Sequence, residues 1–129
     1  MRQVSVSVNG VRHELLVEPR ELLVYVLRER LGLTGLKISC DVQVCGACTV
    51  LVDGLAVSAC TYLAVDADGR SVTTVEGLTT DGELSALQQA FIDEAAFQCG
   101  FCTPGMVVAA TALLADNPAP TRDEVVTGI

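Results

Sequence analysis

Several residue types on which common protein functions depend are scarce in this chain of 129 residues. It has no tryptophan and one histidine, and aromatic residues make up 4% of the total. So few aromatics exclude a stacking platform for single-stranded nucleic acid. Basic residues number eight against sixteen acidic ones, which gives a formal net charge of −8. Because such a surface repels phosphate groups, nucleic acids and anionic membranes are excluded as partners.

Long apolar runs are also lacking, although half of the residues are hydrophobic and the mean hydropathy is +0.48. No run approaches the roughly 18 residues that a transmembrane helix needs, and no signal peptide precedes the first strand pattern. The apolar content is enough to bury a core. We therefore expect a cytoplasmic protein made of one medium domain or two small ones.

The six cysteines are distributed unevenly, and this distribution carries most of the functional information. Four lie between Cys40 and Cys60, the other two are Cys99 and Cys102, and none lies elsewhere. Cysteines that merely fill a core would be scattered among apolar positions. Disulfides are rare in the cytosol, so the clustering favours metal sites.

The residue pattern over 1–76 predicts strands and hairpins around one helix. Asn9-Gly10 and Asp53-Gly54 are typical of two-residue hairpin turns. Helical spacing of apolar residues predicts a helix over Glu21–Leu31, and a short last strand is expected over Ser71–Val75.

Over residues 80–129 helical spacing replaces the strand patterns. A first helix is expected around residues 84–95, and a second after Pro104-Gly105. A third should begin at Thr121, whose side chain forms a capping box with Glu124. This helix is interrupted at Ile129, and we expect these 129 residues to be part of a longer native chain.

The first cysteine group has the spacing of a [2Fe–2S] cluster. Cys40, Cys45 and Cys48 form the C-x4-C-x2-C pattern of plant-type ferredoxins, and Cys60 follows the second hairpin as a fourth thiolate. Gly46 lets the loop backbone approach the cluster without a Cβ clash. A zinc site, the main alternative, would favour two separated C-x2-C pairs.

These residues resemble the iron–sulfur subunit of the molybdenum hydroxylases, a family that includes xanthine dehydrogenase, aldehyde oxidoreductase and aerobic carbon monoxide dehydrogenase. The resemblance lies in the runs Gly35–Cys40 and Cys45–Gly54 and in the short gap to Cys60. Family members often carry glycines in the first loop, where this chain has Asp41 and Gln43.

The run Gln98–Met106 is the second part of the resemblance. In the family, two cysteines here and two in a later C-R-C stretch bind a second [2Fe–2S] cluster. Cys99 and Cys102 match the first two, Gly100 repeats the close-approach role of Gly46, and the C-R-C stretch is expected beyond Ile129. The resemblance further implies that Gln98 lies against the pterin of the molybdenum cofactor on another subunit.

Two features of the residues themselves bear on this second group. Cys102 would precede a helix N-terminus, where free N–H groups and the helix dipole favour a thiolate, and Pro104 fits the first turn. A thioredoxin-like C-x-x-C dithiol is the alternative, but it lacks the βαβ setting.

We therefore predict an α+β protein: a β-grasp, ferredoxin-like domain over 1–76, followed by a helical-bundle domain over 80–129, each with one [2Fe–2S] cluster. The resemblance implies a non-catalytic electron-transfer subunit of an oxidoreductase. Its partners would be a large molybdopterin-binding subunit and a medium FAD-binding subunit, assembled as a dimer of heterotrimers. A free-standing single-cluster ferredoxin-type carrier is the alternative.

Overall fold

Two hairpins with left-handed turn residues frame the first half of the chain. The computed structural model describes residues 1–129, and it begins with antiparallel strands β1 (Arg2–Val8) and β2 (Val11–Val17). Asn9 and Gly10 between them have φ values of 50° and 82°. This is the conformation that a two-residue turn needs to match the twist of its strands, so the predicted first hairpin is confirmed.

The second hairpin and a short last strand complete one five-stranded sheet. Strands β3 (Thr49–Val52) and β4 (Leu55–Ser58) pair antiparallel, and β5 (Ser71–Thr73) lies in the middle, parallel to β1 and antiparallel to β3. The order of strands is β2-β1-β5-β3-β4. Strand β5 ends two residues earlier than predicted because Val75–Leu78 forms a 3-10 turn.

The helix between the hairpins is shorter than predicted and mostly not α-helical. One α-helical turn, α1 (Leu23–Tyr25), continues as a π-helical turn over Val26–Arg30. The N–H of Leu31 donates to the carbonyl of Val26, five residues earlier, which defines the wider turn.

The core lies between the sheet and this helix. It is a cluster of 17 buried residues in which both predicted ligands Cys48 and Cys60 take part, each with 3% of its surface exposed. Its largest members are apolar side chains from the helix, the sheet and the loop that follows the helix: Leu23, Leu27, Leu36, Val17, Val24, Val26, Val50 and Val72. The candidate metal site is therefore built partly into the hydrophobic core.

The second half of the chain contains three helices: α2 (Ala86–Asp93), α3 (Thr103–Asp116) and α4 (Arg122–Gly128). The capping box predicted at Thr121 and Glu124 is present. Helix α3 begins at Thr103 and thus includes Pro104 and Gly105, whereas the sequence pattern placed its start after Gly105. The predicted start was wrong because Gly105 lies within the helix, where it makes a packing contact, and does not mark the helix boundary.

Helix α3 joins the two halves by packing on the sheet. It contacts β3 more extensively than it contacts α2 or α4, and it buries Val107, Val108 and Ala110. The molecule thus has a mixed α/β architecture, with one sheet and helices in both halves. No helix combines the length and the apolar character required to cross a membrane.

Candidate metal centres

The loop that carries the first three cysteines winds its backbone around the sulfur of Cys40. The N–H groups of Val42, Val44 and Cys45 point at Cys40 Sγ, at N–S distances of 3.4, 3.2 and 3.2 Å. This path requires left-handed backbone at two non-glycine residues, Asp41 (φ 59°) and Gln43 (φ 63°). These are the two positions at which the chain departs from the glycines of the family it resembles.

Converging N–H groups make this loop a site for negatively charged sulfur. The backbone donors of Val42, Cys45 and Val44 lower the pKa of the Cys40 thiol to about 6. Hydrogen bonds to the charged form favour that form, and the thiolate is the species that ligates a metal. The N–H of Ala47 makes the same kind of contact with Cys45 Sγ, at 3.4 Å.

Cys48 and Cys60 lie on the core side of the loop. The N–H of Cys60 donates to Cys48 Sγ at 3.4 Å. Burial raises the pKa of Cys48 to about 11, because an apolar environment disfavours the thiolate. A positively charged iron centre would reverse that effect, since it deprotonates a coordinating thiol.

Backbone hydrogen bonds thus link the four cysteines as two pairs, since the N–H of Cys45 donates to Cys40 Sγ and the N–H of Cys60 donates to Cys48 Sγ. All six cysteines of the chain are free, so the site is not a disulfide. No three of the Cys, His, Asp and Glu side chains lie close enough together to bind one metal ion. Two pairs fit a [2Fe–2S] cluster, in which each iron takes two protein ligands, better than a zinc site that gathers four ligands on one ion.

Gly46 and Gly100 each lie beside a candidate cluster ligand, and their predicted role in a close approach to a cluster stays a prediction. A Cβ at Gly46 would meet only Thr49 Oγ1, at 3.6 Å, and one at Gly100 would meet nothing within 4 Å. Both positions instead have positive φ, 76° and 83°. The local conformation of the two loops therefore favours glycine at both positions, independently of any approach to a cluster.

The second group lies at the surface, before α3. Gln98, Cys99 and Cys102 are exposed, and Gly100 at the left-handed position turns the chain between the two cysteines. Cys102 occupies the N-cap position of α3, and Pro104 lies in the first turn, as predicted. Cys102 therefore stands at the N-terminal end of a helix of 14 residues, beside the free N–H groups of its first turn.

Two further atoms next to Cys102 bear on what this surface could hold. Thr103 Oγ1 is buried and has no hydrogen-bond partner, and Met106 Sδ lies 3.7 Å from Cys102 Sγ. A buried hydroxyl without a partner costs about 1–3 kcal/mol. A cluster bound by Cys99 and Cys102 would bring sulfur atoms that can accept a hydrogen bond from the Thr103 hydroxyl. The residues present therefore fit a cluster at this site as well.

Sequence reasoning missed Gly105, which brings the two groups together. A Cβ at this position would overlap the carbonyl oxygen of Gly46 and would lie 3.0 Å from Ala47 Cα. The third residue of α3 is thus in direct contact with the backbone of the first cysteine loop. No local signal marked this contact, because the sequence pattern placed Gly105 just before the predicted helix, where a glycine needs no packing reason.

Comparison with protein families divides the chain between two kinds of iron–sulfur domain. Residues 6–73 match the 2Fe-2S iron-sulfur cluster binding domain, and residues 74–129 match the [2Fe-2S] binding domain. The first match covers the sheet and its cysteine loop, and the second covers the helices with Cys99 and Cys102.

Individual proteins resemble the chain over most of its length. The nicotine 6-hydroxylase small subunit of Paenarthrobacter nicotinovorans is 52% identical over 96% of this chain and 74% of its own length. The xanthine dehydrogenase iron-sulfur-binding subunit of Escherichia coli O157:H7 is 47% identical over 87% of this chain and 70% of its own. In the crystal structure of quinoline 2-oxidoreductase from Pseudomonas putida 86, one chain superposes with a TM-score of 0.93 at 49% identity, covering 98% of this chain and 80% of that one.

Proposed function

The chain belongs to the iron–sulfur subunits of the molybdenum hydroxylase family, and from this we propose which of its residues bind each cluster. As a member, it is a non-catalytic electron-transfer subunit of an oxidoreductase with two [2Fe–2S] clusters, each of which accepts and returns one electron at a time. We assign Cys40, Cys45, Cys48 and Cys60 to one cluster. Cys99 and Cys102 supply two ligands of the other, and the remaining two ligands come from outside these 129 residues.

The observation that carries this assignment is the paired arrangement of the first four cysteines. Five backbone N–H groups point at the sulfurs of this set: those of Val42, Val44, Cys45, Ala47 and Cys60. Hydrogen bonds to the sulfurs and the extent of burial are the means by which a protein sets the potential of a cluster. Cys40 and Cys45 lie on the outer side of the loop, whereas Cys48 and Cys60 are in the core.

We also propose that each half of the chain holds its own cluster, with a β-grasp, ferredoxin-like domain over 1–76 and a helical-bundle domain over 80–129. The family matches at 6–73 and 74–129 support the division. Packing of α3 on β3 then holds the two domains in a fixed arrangement.

The proposed partners are a large molybdopterin-binding subunit and a medium FAD-binding subunit, in a dimer of heterotrimers. Large apolar side chains exposed next to both sites support protein neighbours there. Val42 (65% exposed) and Val44 (80%) surround the first site, and Phe97 (48%) and Phe101 (46%) flank the second. Clusters of exposed apolar residues mark interaction surfaces. Gln98, exposed between Phe97 and Cys99, is proposed to face the pterin.

A cytoplasmic location is part of the proposal. Its support is the presence of six free cysteines, among them the exposed pair Cys99 and Cys102. Exposed thiols in pairs are kept reduced in the cytosol.

The assignment is tested by removing one ligand from each group. In Cys45→Ser the electron paramagnetic resonance (EPR) signal of one reduced cluster should disappear, and in Cys102→Ser only the signal of the other. The complex with Cys45→Ser should lose turnover while substrate still reduces its molybdenum centre. Ser39→Ala, which changes an exposed residue beside Cys40, is the control and should keep both signals. Undiminished turnover of Cys45→Ser with the natural acceptor would refute the electron-transfer path.

Iron content separates this proposal from the free-standing carrier. About four irons per chain are expected for two clusters, and about two for a single-cluster ferredoxin. A carrier would also elute alone, whereas a member of the complex should elute with larger chains that contain flavin and molybdenum.

A further inference from the structure

The only glycine of α3 lies where this helix meets the first cysteine loop. Gly105 is buried, and a side chain at this position would overlap the carbonyl oxygen of Gly46 and press on Ala47 Cα, 3.0 Å away. Both neighbouring atoms belong to the backbone, so no flexible side chain can move aside. We call this the Gly46–Gly105 contact.

The loop side of the contact is held firmly and is joined to a proposed ligand. Gly46 directly follows Cys45. Its carbonyl oxygen accepts hydrogen bonds from both the N–H and the hydroxyl of Thr49, at 3.1 and 2.7 Å, and Thr49 is buried at the start of β3. A displacement of this carbonyl would therefore pull on the strand that follows Cys48.

The helix side is tied to the second site just as closely. Gly105 stands three residues after Cys102, whose carbonyl accepts the N–H of Met106 at 3.1 Å. The path from Cys45 to Cys102 thus consists of two short backbone segments and the van der Waals contact between them. Glycine is the residue that allows two backbones to approach so closely.

We propose that Gly105 is a positioning residue that sets the separation of the two clusters and so the rate of electron transfer between them. The inference rests on the cluster assignment proposed above. In this step one site is oxidised and the other is reduced by one electron, and no bond forms or breaks. Because electron tunnelling slows steeply with distance, a contact without intervening side chains gives the fastest route. In a densely packed interior, even one added methyl group displaces the neighbouring backbone.

A purely structural role for Gly105 would predict a different result. Extra bulk would then lower stability or cluster content, but the magnetic interaction between clusters that do assemble would stay the same. The spin–spin interaction between two reduced [2Fe–2S] clusters depends on their separation and does not require turnover. It is therefore the readout that distinguishes the two roles.

The experiment compares Gly105→Ala with wild type in the whole complex, fully reduced with dithionite. Low-temperature EPR measures the splitting caused by the two clusters, and flash-induced reduction measures the rate of electron transfer between them. Gly128→Ala is the matched control, because it makes the same change at a helix glycine that faces only the flexible side chain of Leu113. Ala109→Val is a milder change on the same face of the helix, one turn after Gly105. Ala109 lies near Thr49.

We expect Gly105→Ala to reduce the splitting measurably and to slow intercluster transfer severalfold while both cluster signals remain, with a smaller effect in Ala109→Val and none in Gly128→Ala. Unchanged splitting in Gly105→Ala would overturn the inference. If Gly105→Ala fails to assemble a cluster, unchanged splitting in Ala109→Val overturns it instead. A wild-type protein with one cluster signal would refute the proposed function, and that outcome is visible before any variant is compared.

Discussion

At the scale of single residues, the first cysteine loop depends on non-glycine residues in a backbone conformation that favours glycine. Asp41 and Gln43 take φ values of 59° and 63°, which aim the N–H groups of Val42 and Val44 at Cys40. Aspartate tolerates this region better than most side chains because its short polar group bonds locally. The chain therefore keeps a loop that wraps a sulfur ligand without the glycines that its family often carries there.

Replacing Asp41 by valine should destabilise the loaded loop. A β-branched residue in the left-handed region costs about 1–2 kcal/mol, so we expect Asp41→Val to lose the visible absorption of its cluster at a lower urea concentration than wild type. Asp41→Gly, which removes the steric conflict, is the matched control and should be at least as resistant. Equal urea midpoints for the valine and glycine variants would contradict the left-handed conformation at Asp41.

At this scale the sequence predicts the candidate ligands, but it does not predict contacts between residues that are far apart in the chain. The ligand candidates follow from spacing alone, because C-x4-C-x2-C is a local property of the chain. The sequence singled out Gly46 and Gly100, which have positive φ, but it did not single out Gly105, which packs against the backbone of Gly46. Nothing local shows which glycine meets another backbone.

At the scale of elements, a hydrogen-bond network connects the first hairpin to the end of the first half of the chain and to the loop that leads to Cys40. The amide of Asn9 donates to Thr74 Oγ1 and accepts from the N–H of Thr74, both at 2.9 Å. The Thr74 hydroxyl donates to Glu76, whose other carboxylate oxygen accepts the N–H of Gly35, also at 2.9 Å. One chain of bonds thus joins the hairpin turn, the connection between the two halves and the loop that leads to Cys40.

Asn9→Gly should test this network without disturbing the hairpin. Glycine keeps the positive φ that the turn needs but removes the amide, and Thr74 is fully buried. Because the N–H and the hydroxyl of Thr74 lose this partner, we expect a loss of about 1–3 kcal/mol in the free energy of unfolding, measured by urea denaturation. Asn9→Asp, which keeps an acceptor for the Thr74 N–H, should lose less. An unfolding free energy within about 0.5 kcal/mol of wild type in Asn9→Gly would show that the network adds little.

Most elements could be predicted because their signals are local. The two hairpin turns and the capping box at Thr121 and Glu124 follow from a few adjacent residues. The capping box at Ser85 and Gln88 carries the same signal and was overlooked. The π-helical turn at Val26–Arg30 has no such local signature, and the apolar spacing there predicted ordinary helix.

At the scale of the whole molecule, apolar side chains remain exposed beside both candidate sites. Phe97 and Phe101 flank Cys99 and Cys102, and Val42 and Val44 lie on the first loop. Exposed apolar side chains beside both sites fit a subunit whose cofactor-bearing surfaces are covered by protein partners.

Phe101→Glu should weaken assembly of the complex while leaving the clusters in place. An aromatic side chain at the centre of an interface often contributes about 2 kcal/mol or more, so we expect association about thirtyfold weaker or worse. Analytical ultracentrifugation of the subunit with its partners measures the change, and EPR checks that both clusters remain. Val11→Glu changes an exposed apolar residue on the first hairpin (58% exposed) and serves as the control. Equal weakening by both variants would locate the interface elsewhere.

The candidate ligands, the turns and the change from a strand-rich to a helical half can all be read from the sequence, because spacing, turn chemistry and periodicity act over a few residues. How these pieces meet emerges only from the folded molecule. Folding brings the N–H of Cys60 to Cys48 Sγ, places both residues in the core, and lays Gly105 of α3 on Gly46 of the first loop. Such contacts join residues far apart in the chain, and they are selected by the packing of whole elements, which no short stretch of sequence contains.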